Sequence, residues 1–92
     1  MNNFLSREQV ARIRQEYPPG TRVELMNMPD DPHSIPPGTR GEVKAVDDAG
    51  QLIVKWNNGR SLSLIPGVDS FRKLTQQEIA REQTMEIGGM KL

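Results

Sequence analysis

From Thr21 onward the apolar residues recur with a period of two, and turn formers cut that pattern into short runs. Alternation sends successive side chains to opposite faces of an extended chain, so each run reads as a half-buried strand. Val23 and Leu25 fall on one face, and Arg22 and Glu24 on the other. The pattern resumes over 39–46, with Gly41, Val43 and Ala45 inward and Arg40, Glu42 and Lys44 outward. QLIVKW (51–56) places Leu52, Val54 and Trp56 on one face, Ser61 to Leu64 alternate once more, and FRKL (71–74) forms a last short strand. DDAG (47–50), NNG (57–59) and IPGVDS (65–70) punctuate the runs. An Asn-Gly pair between two strands is a hairpin signal, and Gly50 suits a left-handed turn position. NMPDDPHSIPPG (27–38) is too rich in Pro and Asp for a central strand and reads as a long loop.

A helix precedes the strands. Ser6 is a good N-cap, Gln9 completes a capping box, and Leu5 and Val10 are spaced as a hydrophobic staple. Val10, Ile13 and Tyr17 follow at helical spacing, and Pro18-Pro19 stops the helix at about residue 16. The same device recurs near the end. Leu74, Thr75, Glu78 and Ile79 form a second staple, cap and box, which opens a helix over about 76–87. Its stripe of Ile79, Ala80, Met85 and Ile87 is too narrow for a core helix, so it either covers the barrel lightly or awaits a partner.

Five short strands in hairpin order, with one long loop, predict a mostly β fold: a small SH3-like five-stranded antiparallel barrel with a helix at each end. The chain is one domain over 1–92, with the N-terminal helix in 6–17, the barrel in 20–74 and the C-terminal helix and tail in 75–92. Gly41 inside a strand suggests a bulge or corner. Val46 and Ile53 face away from the inner set, and the first helix is their expected cover.

PPGTR appears twice, at 18–22 and 36–40, each copy running on through a residue to a glutamate. Pro then Gly fits the two central positions of a type II turn, with Thr opening a strand. The likeness ends after nine residues, in YPPGTRVEL and IPPGTRGEV, too short for a duplicated domain. Both copies read as one strand-opening turn used twice, which puts Arg22 and Arg40 on outward faces.

Composition narrows the function. Twelve basic residues balance twelve acidic ones, and residues 20–74 carry seven of each. A nucleic-acid binder ordinarily needs a basic excess to displace counterions. No apolar run approaches a membrane span, and MNNFLSREQ has no signal-peptide pattern, so a soluble cytoplasmic protein is expected. The absence of cysteine removes any disulfide scaffold, thiolate metal site or thiol nucleophile. Asp30, Asp31, Asp47, Asp48 and Asp69 all fall in turns, where aspartate caps backbone N–H groups, so no catalytic role and no cofactor are expected. Asp30, Asp31 and His33 are chemically competent metal ligands, but nothing at recognisable spacing completes their set, and no metal site is expected.

The candidates for partner contact are Tyr17, Arg22, Arg40, Lys44, Lys55, Trp56, Arg60, Ile79 and Met85, together with the loop 27–38. Trp56 is ordinarily a core or rim residue, although Tyr17 and Trp56 would make a two-ring patch if the first helix ended beside the third strand. The five outward cations, Arg22, Arg40, Lys44, Lys55 and Arg60, keep open a nucleic-acid groove that their interleaved acids weaken.

The run PPGT, G-x-V, DDAG, V-x-W-N-NG and L-x-L-x-PGVD-x-F over residues 16–71 resembles the family known as domain of unknown function 4314, with both predicted helices lying outside the resemblance. That resemblance implies small proteins of Gram-positive bacteria, their phages and mobile elements, and brings no activity and no site residues. The expected function is a non-catalytic protein-binding accessory module of that setting, acting as a monomer or weak homodimer. The alternatives are an RNA- or DNA-binding small barrel and an inhibitor of a bacterial defence complex of the anti-CRISPR kind.

Overall fold

The computed structural model describes residues 5–29 and 33–82 of the chain. Helix α1 (Arg7–Glu16) is followed by strands β1 (Arg22–Asn27), β2 (Arg40–Val46), β3 (Leu52–Trp56) and β4 (Ser70–Lys73). Helical residues 76–82 close the described chain and are called α2. The strands form one antiparallel sheet in the order β3-β2-β1-β4. Both capping boxes form. Ser6 Oγ accepts from Gln9 N at 3.1 Å while Gln9 Oε1 accepts from Ser6 N at 2.8 Å, and Thr75 and Glu78 exchange the same pair at 3.1 and 2.9 Å.

The repeated PPGT turns frame the central strand pair. Gly20 and Gly38 have φ of +96° and +88°. Thr21 N donates to Pro18 O, and Thr39 N to Pro36 O, as the type II turn requires. Each turn then locks onto the strand that follows the other one. Gly20 N reaches Val43 O at 2.8 Å, and Gly38 N reaches Leu25 O at 2.7 Å. In return Val43 N reaches Thr21 O at 2.8 Å, and Leu25 N reaches Thr39 O at 2.9 Å. Between the two turns the register is Arg22↔Glu42, Val23↔Gly41 and Glu24↔Arg40. The motif is therefore self-complementary: one copy pairs antiparallel with the other, and each copy's arginine opposes the other's glutamate.

The sheet is open, and the expected five-stranded closed barrel does not form. Segment 61–64 meets β3 through isolated bridges, Leu52↔Leu64 and Lys55↔Ser61, and a long Leu62 N to Val54 O bond at 3.3 Å, without forming a named strand. Its ladder is diverted at Leu62, whose carbonyl accepts the Trp56 indole N–H at 3.0 Å. The turn that follows is tied by Asp69, whose carboxylate accepts Ile65 N at 2.8 Å. The chain then reaches the opposite edge, where β4 pairs with β1. Among the described residues no pairing joins 61–64 to β4.

One face of the sheet is apolar. Val23, Leu25, Val43, Val46, Leu52, Val54, Trp56 and Leu64 are buried there, and the long loop adds Met28 and Ile35. The inward set differs from simple alternation at one point. β2 slips register between Val43 and Ala45, so Lys44 is an extra residue. Beyond the bulge the parity reverses: Val46 is buried and Ala45 exposed. Ile53 remains 40% exposed, and α1 does not cover it. The helix packs instead over the β2–β3 turn, where a methyl on Gly50 would lie 2.6 Å from Leu5 Cδ1 and 3.4 Å from Ile13 Cδ1. Arg14 secures that contact by donating to Val46 O at 3.2 Å and to Asp48 at 2.8 Å.

Two glycine requirements of different origin follow. At Gly41 an added Cβ would lie 2.7 Å from Val54 Cγ1 and 2.9 Å from both Lys55 O and Trp56 Cε3. At Gly20 and Gly38 the space is open, and only the positive φ resists a side chain. Gly41→Ala is expected to cost ~1–3 kcal/mol by overpacking. Gly20→Ala and Gly38→Ala should each cost ~1–2 kcal/mol through backbone strain. Urea titration followed by Trp56 fluorescence measures all three. Only Gly41→Ala should also shift the native emission maximum, because its Cβ presses on the indole.

Candidate functional site

The outward face of the sheet is charged across β1, β2 and β4, with Ile53 of β3 exposed beside the charges. Alternation along β1, β2 and β4 delivers Arg22, Glu24, Arg40, Glu42 and Arg72 to it, as the register Arg22↔Glu42, Glu24↔Arg40 and Glu24↔Arg72 requires. Glu24 sits at the centre. Its Oε1 accepts from Arg40 Nε at 3.4 Å and from Arg72 Nη2 at 3.0 Å. Two guanidiniums from the neighbouring strands are thereby turned toward one another across β1, with N–H groups left for other acceptors.

Those acceptors come from α2. Glu78 binds Arg72 fork to fork, with Nη1 to Oε1 at 2.9 Å and Nη2 to Oε2 at 2.7 Å. It also stands 3.5 Å from Arg40 Nη2. Glu82, one helical turn later, accepts from Arg22 Nη2 at 2.8 Å and lies 3.9 Å from Arg40 Nη1. Arg22 also donates to Asn57 Oδ1 at 3.2 Å, which holds its side chain along the sheet. Three arginines from three strands thus face three glutamates, two of which belong to the helix. The side chains keep between 19% and 38% of their exposure, so the lattice is half-buried and partly shielded from solvent.

Electrostatics follow the geometry. The Arg72 fork, then the Thr75 N–H, hold the Glu78 carboxyl at about 2 against an ordinary 4.5. Arg72 is pushed above its already high value, chiefly by its hydrogen bond to Glu78. On the opposite face of β4, Tyr17 packs on Phe71 with ring centroids 5.6 Å apart, and Lys73 Nζ lies 5.0 Å from the Tyr17 ring centroid. Burial, with Glu16 second, raises the Tyr17 phenol above 10.0.

The candidate residues separate into distinct roles. Arg22 and Arg40 come together on the outward face, already engaged with carboxylates. Ile79 is half-buried at the start of α2. Lys44 pairs with Glu42 at 3.2 Å, and Lys55 is exposed on β3. Arg60 is not part of a cationic strand face, because its guanidinium donates to the Ser34 carbonyl at 3.2 Å and to the His33 carbonyl, clamping the long loop. Nor do Tyr17 and Trp56 form a two-ring patch. Trp56 is 1% exposed in the core, and Tyr17 takes Phe71 as its partner. Met85, Asp30 and Asp31 lie outside the described residues. Asp47 and Asp69 act as turn formers: Asp47 accepts from Ala49 N and Gln51 N, and Asp69 from Ile65 N. No helix among the described residues is long and apolar enough to cross a membrane.

Reading the sequence for contacts missed Glu24, Arg72, Glu78 and Glu82. The available signal was the spacing of Glu78 and Glu82 on one helix face, together with the outward parity of Arg72.

The sequence model of a family described as a domain of unknown function (DUF4314) matches residues 6–74. The chain belongs to that family. No curated protein and no solved structure matches it. The family region takes in α1 and all four strands, so the first helix lies inside it, contrary to the narrower expectation of 16–71. It ends at Leu74, so the DUF4314 region supplies all three arginines and Glu24, and α2 lies beyond it.

The lattice has a pH signature. The folded Glu78 value lies below the unfolded one, so its contribution is fully present above about pH 4.5 and is lost as pH falls through about 2. Docking of α2 should persist in mildly acidic buffer and fail within that window, as followed by the NMR shifts of the Arg72 Nε–Hε group. Glu78→Gln should abolish that transition.

Proposed function

We propose that this DUF4314 protein is a non-catalytic protein-binding accessory module, of the phage or mobile-element kind, that works through the outward face of its sheet. The observation that carries the reading is the convergence of Arg22, Arg40 and Arg72, from β1, β2 and β4, on carboxylates presented by a helix. Planar guanidinium forks recognise carboxylates bidentately, and such contacts give specificity as well as attraction. The face is already shaped to hold a helix, and the arginines that shape it belong to the family region. An inhibitor of a bacterial defence complex would be one such binder, and the site residues do not single out that target.

The nucleic-acid alternative loses three of its five cations to other partners: Arg22 and Arg40 to glutamates, and Arg60 to loop carbonyls. Lys44 is paired with Glu42, so little free positive charge lines the strand face.

Affinity capture with the full chain, from cells that carry its gene, tests the proposal. The wild type should retain a stoichiometric protein that Arg22→Ser/Arg40→Ser/Arg72→Ser does not. Mixed oligonucleotides should show no salt-sensitive gel shift at micromolar protein. A shift that weakens with salt, or a capture indifferent to the three arginines, would sink the reading.

A further inference from the structure

α2 meets the sheet chiefly through charged side chains. Of its described residues, Gln76, Gln77, Ala80 and Arg81 are exposed, and only Glu78, Ile79 and Glu82 are half-buried. Among the described residues, the side chains that α2 buries against the sheet are two carboxylates and one partly covered isoleucine. The main core cluster takes no residue from α2, because all its buried members lie between Val23 and Leu64, and Leu74 just before the helix is the nearest buried apolar side chain in sequence. Attachment through half-exposed ion pairs is weakened by salt and opposed by side-chain entropy, unlike attachment through buried apolar area.

The sheet side is specific in its spacing. Arg72 and Arg22 grip Glu78 and Glu82 separately, at 2.7 and 2.8 Å, and Arg40 reaches toward both, at 3.5 and 3.9 Å. Glu24 fixes the Arg40 and Arg72 forks from beneath. Two glutamates four residues apart rise about 6 Å along a helix and point the same way, the repeat that this row of arginines accommodates. An extended peptide would carry residues four apart about 13 Å from one another and would not span the same forks.

We infer that the arginine face is a docking site for a partner helix bearing Glu-x-x-x-Glu, and that α2 is the intramolecular occupant that such a helix displaces. This deepens the protein-binding reading and rests on it. Being tethered, α2 competes at a high effective concentration. A partner's apparent affinity is accordingly reduced by the fraction of molecules whose face is open. Variants that release α2 should bind more tightly without any new contact.

The test uses the full chain and a fluorescein-labelled synthetic peptide of residues 75–87. Glu78→Gln/Glu82→Gln removes both charges yet leaves the capping box intact, since glutamine serves equally at that position. In low salt this variant should bind the peptide about tenfold or more tighter than the wild type, by fluorescence anisotropy. The gain should vanish at high salt, and again when Arg40→Ser is added or when both peptide glutamates are replaced by glutamine. Unchanged Trp56 emission checks that the variant is folded. On the wild type, excess peptide should move the Arg22, Arg40 and Arg72 Nε–Hε resonances, a readout that needs no variant. Equal binding by wild type and variant, or equal binding of the peptide without glutamates, would overturn the inference. So would a concentration-dependent dimer that exchanges α2, since the occupant would then be a second copy. If the peptide behaves as expected but the cells yield no protein partner, the protein-binding reading fails while the specificity of the face stands. If a captured protein ignores all three arginines, the docking site fails while protein binding stands.

Discussion

The antiparallel pairing of β1 with β2 is the contact on which the other elements depend. It is made by two copies of one short motif, each closing its turn on the strand that follows the other copy. Because the two copies run in opposite directions, the Arg and Glu of one stand across from the Glu and Arg of the other. The pairing settles the inner face, where Val23 and Gly41 oppose one another and Trp56 lies across the glycine. It also settles the outer face, where Glu24 and Arg40 become neighbours. A change that shifted this register by one residue would exchange the two faces.

The outer lattice is built on that foundation. β4 brings Arg72 beside Glu24, and the chain then turns directly into the second capping box. Glu78 serves twice there: its carboxylate caps the Thr75 N–H and binds the Arg72 fork. The residue that starts the helix is thus also the one that docks it, which couples α2 to the sheet with no intervening linker. Recognition of carboxylates by guanidinium forks is directional, and here the directions are set by strands rather than by flexible loops.

Local features were legible in the sequence. Both helix starts, the four strands and the punctuating turns follow from caps, alternation and Pro-Gly chemistry, each of which acts within a few residues. The fifth strand was over-read, because its alternation gave no hint that the Leu62 carbonyl would be diverted to the Trp56 indole. Ala45 and Val46 were assigned to the wrong faces because an extra residue at Lys44 leaves the composition of the run unchanged and reverses only its parity. Arg60 looked like one more outward cation, since nothing in its neighbourhood announces a loop carbonyl some 26 residues away.

The chain alone determined where it turns, where its helices begin, and that its two PPGT copies could serve as equivalent strand-opening turns. These are short-range matters of allowed φ, missing N–H donors and side-chain caps. Only the tertiary structure decided which charges meet. Arg40 and Glu24 are 16 positions apart, Arg72 and Glu24 are 48 apart, and Arg22 and Glu82 are 60 apart. A balanced composition is compatible with scattered, solvated charges or with one lattice. Strand order and register, which depend on the whole core, selected the lattice.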